Sequence, residues 1–240
     1  MNELIERIYR DGYAQDAQGN RIHIFPSAIP YESGQLLRDF VIQHKPRRTI
    51  ETGLGFGMSA LFISQALAEN GGGRHTAIDP NQKGAYFKSI GLLNIERAGF
   101  NDAFRFFHAP SSQTLPQLLQ AGERFDFAFI DGSHVFDNVI VDFSYMDKLL
   151  EIGGCIAFDD LWMPGVRRAI NFVRRNRAYQ LQDIASPNPP PSWLRVARSA
   201  RRFLQDPSAR DGTLRSIPYN VCFFKKLGDD KRTWDDYHPF

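Results

Sequence analysis

The chain has 240 residues, 42% of them hydrophobic and 23% charged, a balance that suits one folded domain with additions and excludes a chain dominated by disorder. A formal net charge of +2 supplies no general attraction to nucleic acid, and no segment approaches the roughly 20 apolar residues of a membrane-spanning helix. Met1 to Arg10 mixes Glu3, Glu6, Arg7 and Arg10 with apolar residues and does not read as a signal peptide; the two cysteines, Cys155 and Cys222, read as small buried hydrophobes of a cytoplasmic protein.

Asn2 to Arg10 places Leu4, Ile5 and Ile8 on one side of a short helix. Gly12 to Pro30 shows no sustained period and reads as a surface loop, with a lid over a site as the sharper alternative. From Ser33, taken as an N-cap, Leu36, Leu37, Phe40 and Val41 recur at helical spacing until Lys45-Pro46. A strand then ends at Glu51, and a helix is expected over Ser59–Asn70. A second strand over His75–Asp79 is followed by a helix over Tyr86–Arg97. A third strand covers Phe104–His108, and Leu115–Leu119 lie in the next helix.

Phe125–Ile130 is almost continuously apolar, as a central parallel strand buried on both faces should be. A helix follows with Val139, Ile140, Phe143, Met146, Leu149 and Leu150, and Gly153-Gly154 is expected to turn the chain into a strand over Cys155–Phe158. One more helix runs from about Gly165 to Arg177. Strand alternating with helix predicts a parallel sheet with helices on both faces. The last third changes character, with a proline-rich loop over 186–192, a basic amphipathic helix expected over 193–204, and renewed strand character over Tyr219–Lys226. The tail from Trp234 to Phe240 has no assignment.

The organising stretch is Thr49-Ile50-Glu51-Thr52-Gly53-Leu54-Gly55-Phe56-Gly57-Met58-Ser59. Three alternating glycines permit positive φ and let a ligand approach the main chain, and the following helix offers free amides. Glu51 at the mouth of such a turn suits a cationic or hydroxyl-rich ligand. A dinucleotide fingerprint starting at Gly53 would need glycine where Met58 stands, which disfavours a nicotinamide or flavin site. Asp131, Asp159 and Asp160 end neighbouring strands, about 4.8 Å apart in a sheet, where three carboxylates repel one another unless a hard divalent ion is shared. His134 could take a proton from a hydroxyl near neutrality.

Glu51 to Gly57, with Ala77-Ile78-Asp79 and Ile130-Asp131-Gly132-Ser133-His134, resembles the class I S-adenosylmethionine (SAM) methyltransferases, and among them the small-molecule O-methyltransferases that include macrolide-sugar enzymes. The resemblance implies an α/β, Rossmann-like, seven-stranded and mostly parallel sheet whose last strand is antiparallel, with Tyr179–Ile184 as that strand's partner. Residues 1–30 are then an N-terminal helix and lid, 31–185 the SAM-binding core, 186–216 an insertion, and 217–240 the final strand and tail. It implies SAM contacts from Glu51, Gly53, Gly55, Phe56, Ser59, Asp79, Pro80, Ser111 and Asp131, with Asp79 on the ribose hydroxyls and the adenine near Ala109–Ser112. It implies Asp131 and His134 as catalytic residues, and Mg²⁺ on Asp131, Asp159 and Asp160 as a second cofactor. The expected activity is methyl transfer to a hydroxyl of a small-molecule acceptor, with Trp162 and the insertion as pocket walls, no membrane or nucleic-acid partner, and a homodimer as an open expectation. Two readings compete: a nucleic-acid methyltransferase using Arg167, Arg168, Arg174, Arg175, Arg177 and the arginines of 195–202, and a SAM-binding module without catalysis.

Overall fold

The structure, a computed structural model, describes residues 1–182, 220–236 and 238–240, together with the isolated positions 193, 196, 197 and 200. The elements are α1 (Glu3–Asp11), β1 (Tyr13–Gln15), β2 (Arg21–His23), α2 (Tyr31–His44), β3 (Arg48–Thr52), α3 (Met58–Glu69), β4 (Arg74–Ile78) and α4 (Ile90–Arg97). They continue as β5 (Phe104–Phe107), α5 (Ser111–Gln120), β6 (Phe125–Ile130), α6 (Phe136–Leu149), β7 (Leu150–Phe158), α7 (Pro164–Asn176), β8 (Tyr179–Gln182) and β9 (Cys222–Lys226). Apart from the β1–β2 hairpin, the strands form one seven-stranded sheet in the order β5-β4-β3-β6-β7-β9-β8. Pairing is parallel from β5 to β7, and β9 runs antiparallel to both β7 and β8. This is the predicted architecture, and the chain order reverses between β3 and β6, where a ligand crevice opens at the carboxyl ends of the strands.

Side-chain alternation along each strand builds two separate cores. Phe127 and Phe129 of β6 pack into the layer of α1, α2, α3 and α4, whereas Ala128 and Ile130 face the layer of α5, α6 and α7. Phe223 and Phe224 of β9 divide in the same way. A sheet buried on both faces calls for apolar residues on both, which explains the nearly continuous run over Phe125–Ile130; Asp126, near the entry to the strand, instead accepts from Arg47 N and Arg48 N.

Four local expectations are corrected. Residues 12–23 are not a loop throughout but hold the β1–β2 hairpin, whose turn is tied by Asp16 accepting from Gln18 N, Asn20 N and Asn20 Nδ2; three-residue strands are too short to show a period of two. Ser33 is not an N-cap, because Pro30 starts α2 and leaves Ser33 buried in its first turn. The helix expected from Tyr86 begins only at Ile90, since Lys88 and Ser89 take left-handed φ of 47° and 58°. Tyr86 and Phe87 instead pack against Phe56 of the glycine turn. Gly153 and Gly154 lie inside β7 rather than before it, beside a register irregularity opposite Phe125 and Phe127.

The insertion expected over 186–216, with its proline-rich loop and basic helix, falls outside the described residues apart from the four isolated positions. The tail is placed: Asn176 exchanges hydrogen bonds with the His238 backbone, Arg175 Nη1 donates to Pro239 O, and Phe240 stacks on Phe136. Cys155 and Cys222 are both buried in strands, and burial pushes the Cys155 thiol up to about 11. A thiolate-selective reagent at pH 8 is therefore expected to leave both thiols unmodified in the folded chain and to label both in denaturant. Rapid labelling of Cys155 without unfolding would contradict this packing.

Candidate functional site

The glycine turn follows from how β3 ends. Gly53 has φ 88° and its N–H donates to Ile78 O at 2.9 Å, while Asp131 N donates to Thr52 O at 3.1 Å. A Cβ on Gly53 would lie 2.3 Å from Asp131 O, so only glycine lets the ends of β3 and β6 meet this closely. Asp79, 3% exposed at the end of β4, gathers the turn. Its Oδ2 accepts from Leu54 N at 3.1 Å, Gly55 N at 2.9 Å and Gln82 Nε2 at 3.0 Å, and its Oδ1 from Asn81 N at 2.7 Å. Gln82, which carried no sequence signal, also donates to Gly55 O at 2.7 Å.

Glu51 departs from expectation. It does not stand at the mouth of the turn but is fully buried, with Oε1 3.3 Å from His75 Nε2 and neither carboxylate oxygen hydrogen-bonded. Alternation explains this, because Thr49 and Glu51 share one face of β3 and the register pairs Thr49 with His75, whose Nδ1 lies 2.8 Å from Thr49 Oγ1.

A cavity of about 1010 Å³ opens over this reversal point. From the glycine turn, Gly53, Gly55, Phe56 and Ser59 line it; Asp79, Pro80 and Ser111 line it from the ends of β4 and β5. Asp131 and His134 line it after β6, and Asp159 and Asp160 after β7, whereas Glu51 is not part of the lining. The segment Phe25 to Pro30, considered as a lid, runs along the cavity and is bridged to the glycine-turn side by Ser27 Oγ and Tyr86 Oη at 3.0 Å. Trp162 also lines it, and so does Asn220, which carried no signal in the sequence.

The acidic wall is tightly coupled. His134 Nε2 lies 2.6 Å from Asp160 Oδ2 and 3.9 Å from Asp131 Oδ1, yet makes no well-aligned hydrogen bond. Asp160, at a left-handed φ of 55°, accepts from Trp162 Nε1 at 2.7 Å and Asn220 Nδ2 at 2.8 Å. Burial pushes the Asp131 carboxyl up to about 7, against the pull of His134. The carboxylates of Asp131 and Asp160 raise His134 to about 10. Burial, then the charges of Asp131 and Asp160, hold Asp159 well above the ordinary range. Burial opposes ionisation of Asp160 too, but His134, Asn220 and Trp162 together outweigh this and keep it low.

Ligand atoms of Asp131, His134 and Asp160 lie within 4.8 Å of one another, and the carboxylate oxygens among them are of the kind a hard divalent cation takes. Of the expected trio, Asp131 and Asp160 meet in this group, whereas Asp159 lies outside it with Oδ1 buried and unpartnered. The arginines of α7 are used inside the chain. Arg167 donates to Leu161 O and Trp162 O, Arg168 to Phe240 O, Arg175 to Pro239 O, and Arg177 pairs with Asp230.

Comparison with known proteins agrees with this geometry. Residues 50–161 match the family model described as a methyltransferase domain. A caffeoyl-CoA O-methyltransferase of Populus kitakamiensis is 32% identical over 152 residues, covering 60% of each protein. Tapetum-specific methyltransferase 1 of Arabidopsis thaliana is 33% identical over 155 residues, 63% of this chain and 64% of that protein. The chain thus spans less than two thirds of these relatives. An O-methyltransferase from Bacillus cereus in complex with SAH superposes with a TM-score of 0.64 at 19% identity, covering 93% of this chain and 90% of that one. An O-methyltransferase of Streptomyces achromogenes involved in tomaymycin synthesis, in complex with SAM, gives 0.65 at 16% identity, covering 95% and 91%. Residues 50–161 are thus similar to a methyltransferase domain, and the fold is that of solved O-methyltransferases. The relative from Populus kitakamiensis carries the name of an O-methyltransferase.

Proposed function

We propose that the chain transfers the methyl group of SAM to a hydroxyl oxygen of a small molecule. The observation that carries this reading is one continuous cavity lined both by the glycine turn with Asp79 and by the cluster of Asp131, His134 and Asp160. The name of the Populus relative supports an oxygen acceptor.

SAM supplies an electrophilic methyl on a sulfonium, so the chain's task is chiefly alignment. Gly53, Gly55, Phe56 and Ser59 offer open backbone and a hydroxyl to the donor, with Asp131 beside its cationic end. Asp79 already takes four protein donors, which hold its carboxylate rigidly, and Oδ1 retains accepting capacity for a ribose hydroxyl. Pro80 and Ser111 extend this side toward the base. Asp131 and Asp160, with Asp159 near them, would hold Mg²⁺, and such an ion would lower the pKa of an acceptor hydroxyl. The acceptor's proton would go to His134. Phe25 and Trp162 wall the acceptor side and exclude water. Self-association is a separate proposal, answered by sedimentation.

Methyl transfer from radiolabelled SAM to a panel of hydroxylated small molecules, with and without chelator, tests the reading. Transfer is expected on at least one acceptor, reduced by chelator and restored by Mg²⁺. Absence of any calorimetric heat with SAM or SAH would sink it.

A further inference from the structure

Gln82 is fully buried and does not line the cavity, yet its side chain ties together two parts that do. A single nitrogen makes both ties. Nε2 donates to Gly55 O at 2.7 Å and to Asp79 Oδ2 at 3.0 Å, and Asp79 Oδ2 in turn accepts from Gly55 N at 2.9 Å and Leu54 N at 3.1 Å. These contacts close a ring through Gln82, Asp79 and both peptide units that flank Gly55. The main chain of Gln82 is fixed as well, its carbonyl accepting from Ser89 N at 2.6 Å.

The other end of the amide carries a cost. Gln82 Oε1 is buried without a hydrogen-bond partner among the described residues, a penalty that an apolar side chain of the same length would not incur. Gly91, in the first turn of α4, leaves room for it: a Cβ there would lie 2.9 Å from Gln82 Oε1 and 2.6 Å from Gly55 O. What the amide contributes is therefore its donating end, and the effect falls on Asp79. Leu54 N, Gly55 N and Gln82 Nε2 all converge on Oδ2, whereas Oδ1 accepts from Asn81 N at 2.7 Å and keeps a lone pair for a ligand.

We propose that Gln82 is a positioning residue for donor binding: by holding Asp79 Oδ2 and Gly55 O with one nitrogen, it sets the rotation of the Asp79 carboxylate and so the direction in which Oδ1 meets the donor's ribose hydroxyls. The inference rests on the SAM reading above, in which Asp79 takes those hydroxyls, and adds the residue that aims it. Without the shared donor, Gly55 O and Asp79 Oδ2 each lose a hydrogen bond, and the carboxylate is freer to turn about its soft terminal torsion. A carboxylate that must be ordered by the ligand returns less binding energy for each hydroxyl it accepts, so the site discriminates less between donors with and without them. The competing role is structural: the ring would merely fasten the segment before α4 to the sheet, and its loss would lower stability and leave the choice of ligand unchanged.

Calorimetric titration of S-adenosylhomocysteine and its 2′,3′-dideoxy counterpart separates the two roles. The unsubstituted chain is expected to prefer the ligand with both ribose hydroxyls by at least about tenfold. In Gln82→Met, which keeps the length and removes the donor, that preference is expected to shrink to within about threefold. Gln82→Asn, which keeps the amide but is one methylene shorter, takes over the test if Gln82→Met does not fold, and is expected to cut the preference at least about threefold. An unchanged preference in folded Gln82→Met, or in Gln82→Asn if the first variant does not fold, assigns the ring to stability and overturns the inference alone. Equal binding of the two ligands by the unsubstituted chain does the same. If the unsubstituted chain binds neither ligand, the donor reading and the inference fall together.

Discussion

Gly53→Ala is expected to abolish measurable SAH binding and to destabilise the chain by about 3 kcal/mol or more. Two costs combine. A φ of 88° strains any L-residue with a Cβ, by about 1–2 kcal/mol on its own. The new Cβ would also sit 2.3 Å from the Asp131 carbonyl, which belongs to backbone that the Asp131 N to Thr52 O bond holds in place. Relief requires β3 and β6 to part at their carboxyl ends, and that movement separates the glycine turn from the acidic wall. Denaturant unfolding and calorimetry read the two effects independently. Gly53→Ala with undiminished SAH affinity would show that the cavity over the reversal point is not the donor site.

His134→Gln is expected to lower methyl transfer by about 10²–10⁴-fold while leaving SAH affinity within about threefold. Such a split would place the imidazole on the acceptor side of the reaction. An equal loss in donor binding would contradict that placement. The same cluster makes a pH prediction for the ion-free chain. Asp131 is raised by burial to about 7, so the folded state binds more protons than the unfolded state between about pH 4 and 7, and stability falls as pH rises through that window. His134 is raised to about 10; its contribution is complete below about pH 6.5 and is lost as pH rises through 10. Both act in one direction. The depressed Asp160 acts in the other, but only below about pH 4. The melting temperature should therefore decline from pH 4 toward pH 10 in chelator, and Asp131→Asn should flatten the acidic part of that decline. Scanning calorimetry across the range checks it, and a flat profile in the unsubstituted chain would refute the coupling of these groups.

Much of the fold was legible because its signals are local. The nearly continuous apolar run over Phe125–Ile130 marked a two-sided strand, and Leu36, Leu37, Phe40 and Val41 marked a helix face. Alternating glycines after a strand marked the turn. Less was legible where the period was too short or served another purpose. The β1–β2 hairpin has three-residue strands, and Tyr86 and Phe87 looked like the start of α4 although their apolar rings cover Phe56.

The order of residues along the chain determined which elements form, where the glycine turn lies, and that carboxylates end several strands, because propensity, periodicity and positive-φ glycine are properties of neighbours in sequence. Folding decided which of those carboxylates meet. Side-chain alternation buried Glu51 beside His75 instead of exposing it, the left-handed turn at Asp160 carried its carboxylate to His134, and Asp159 was left outside that group. Strand register and helix docking fix such distances across tens of residues, and no local pattern encodes them.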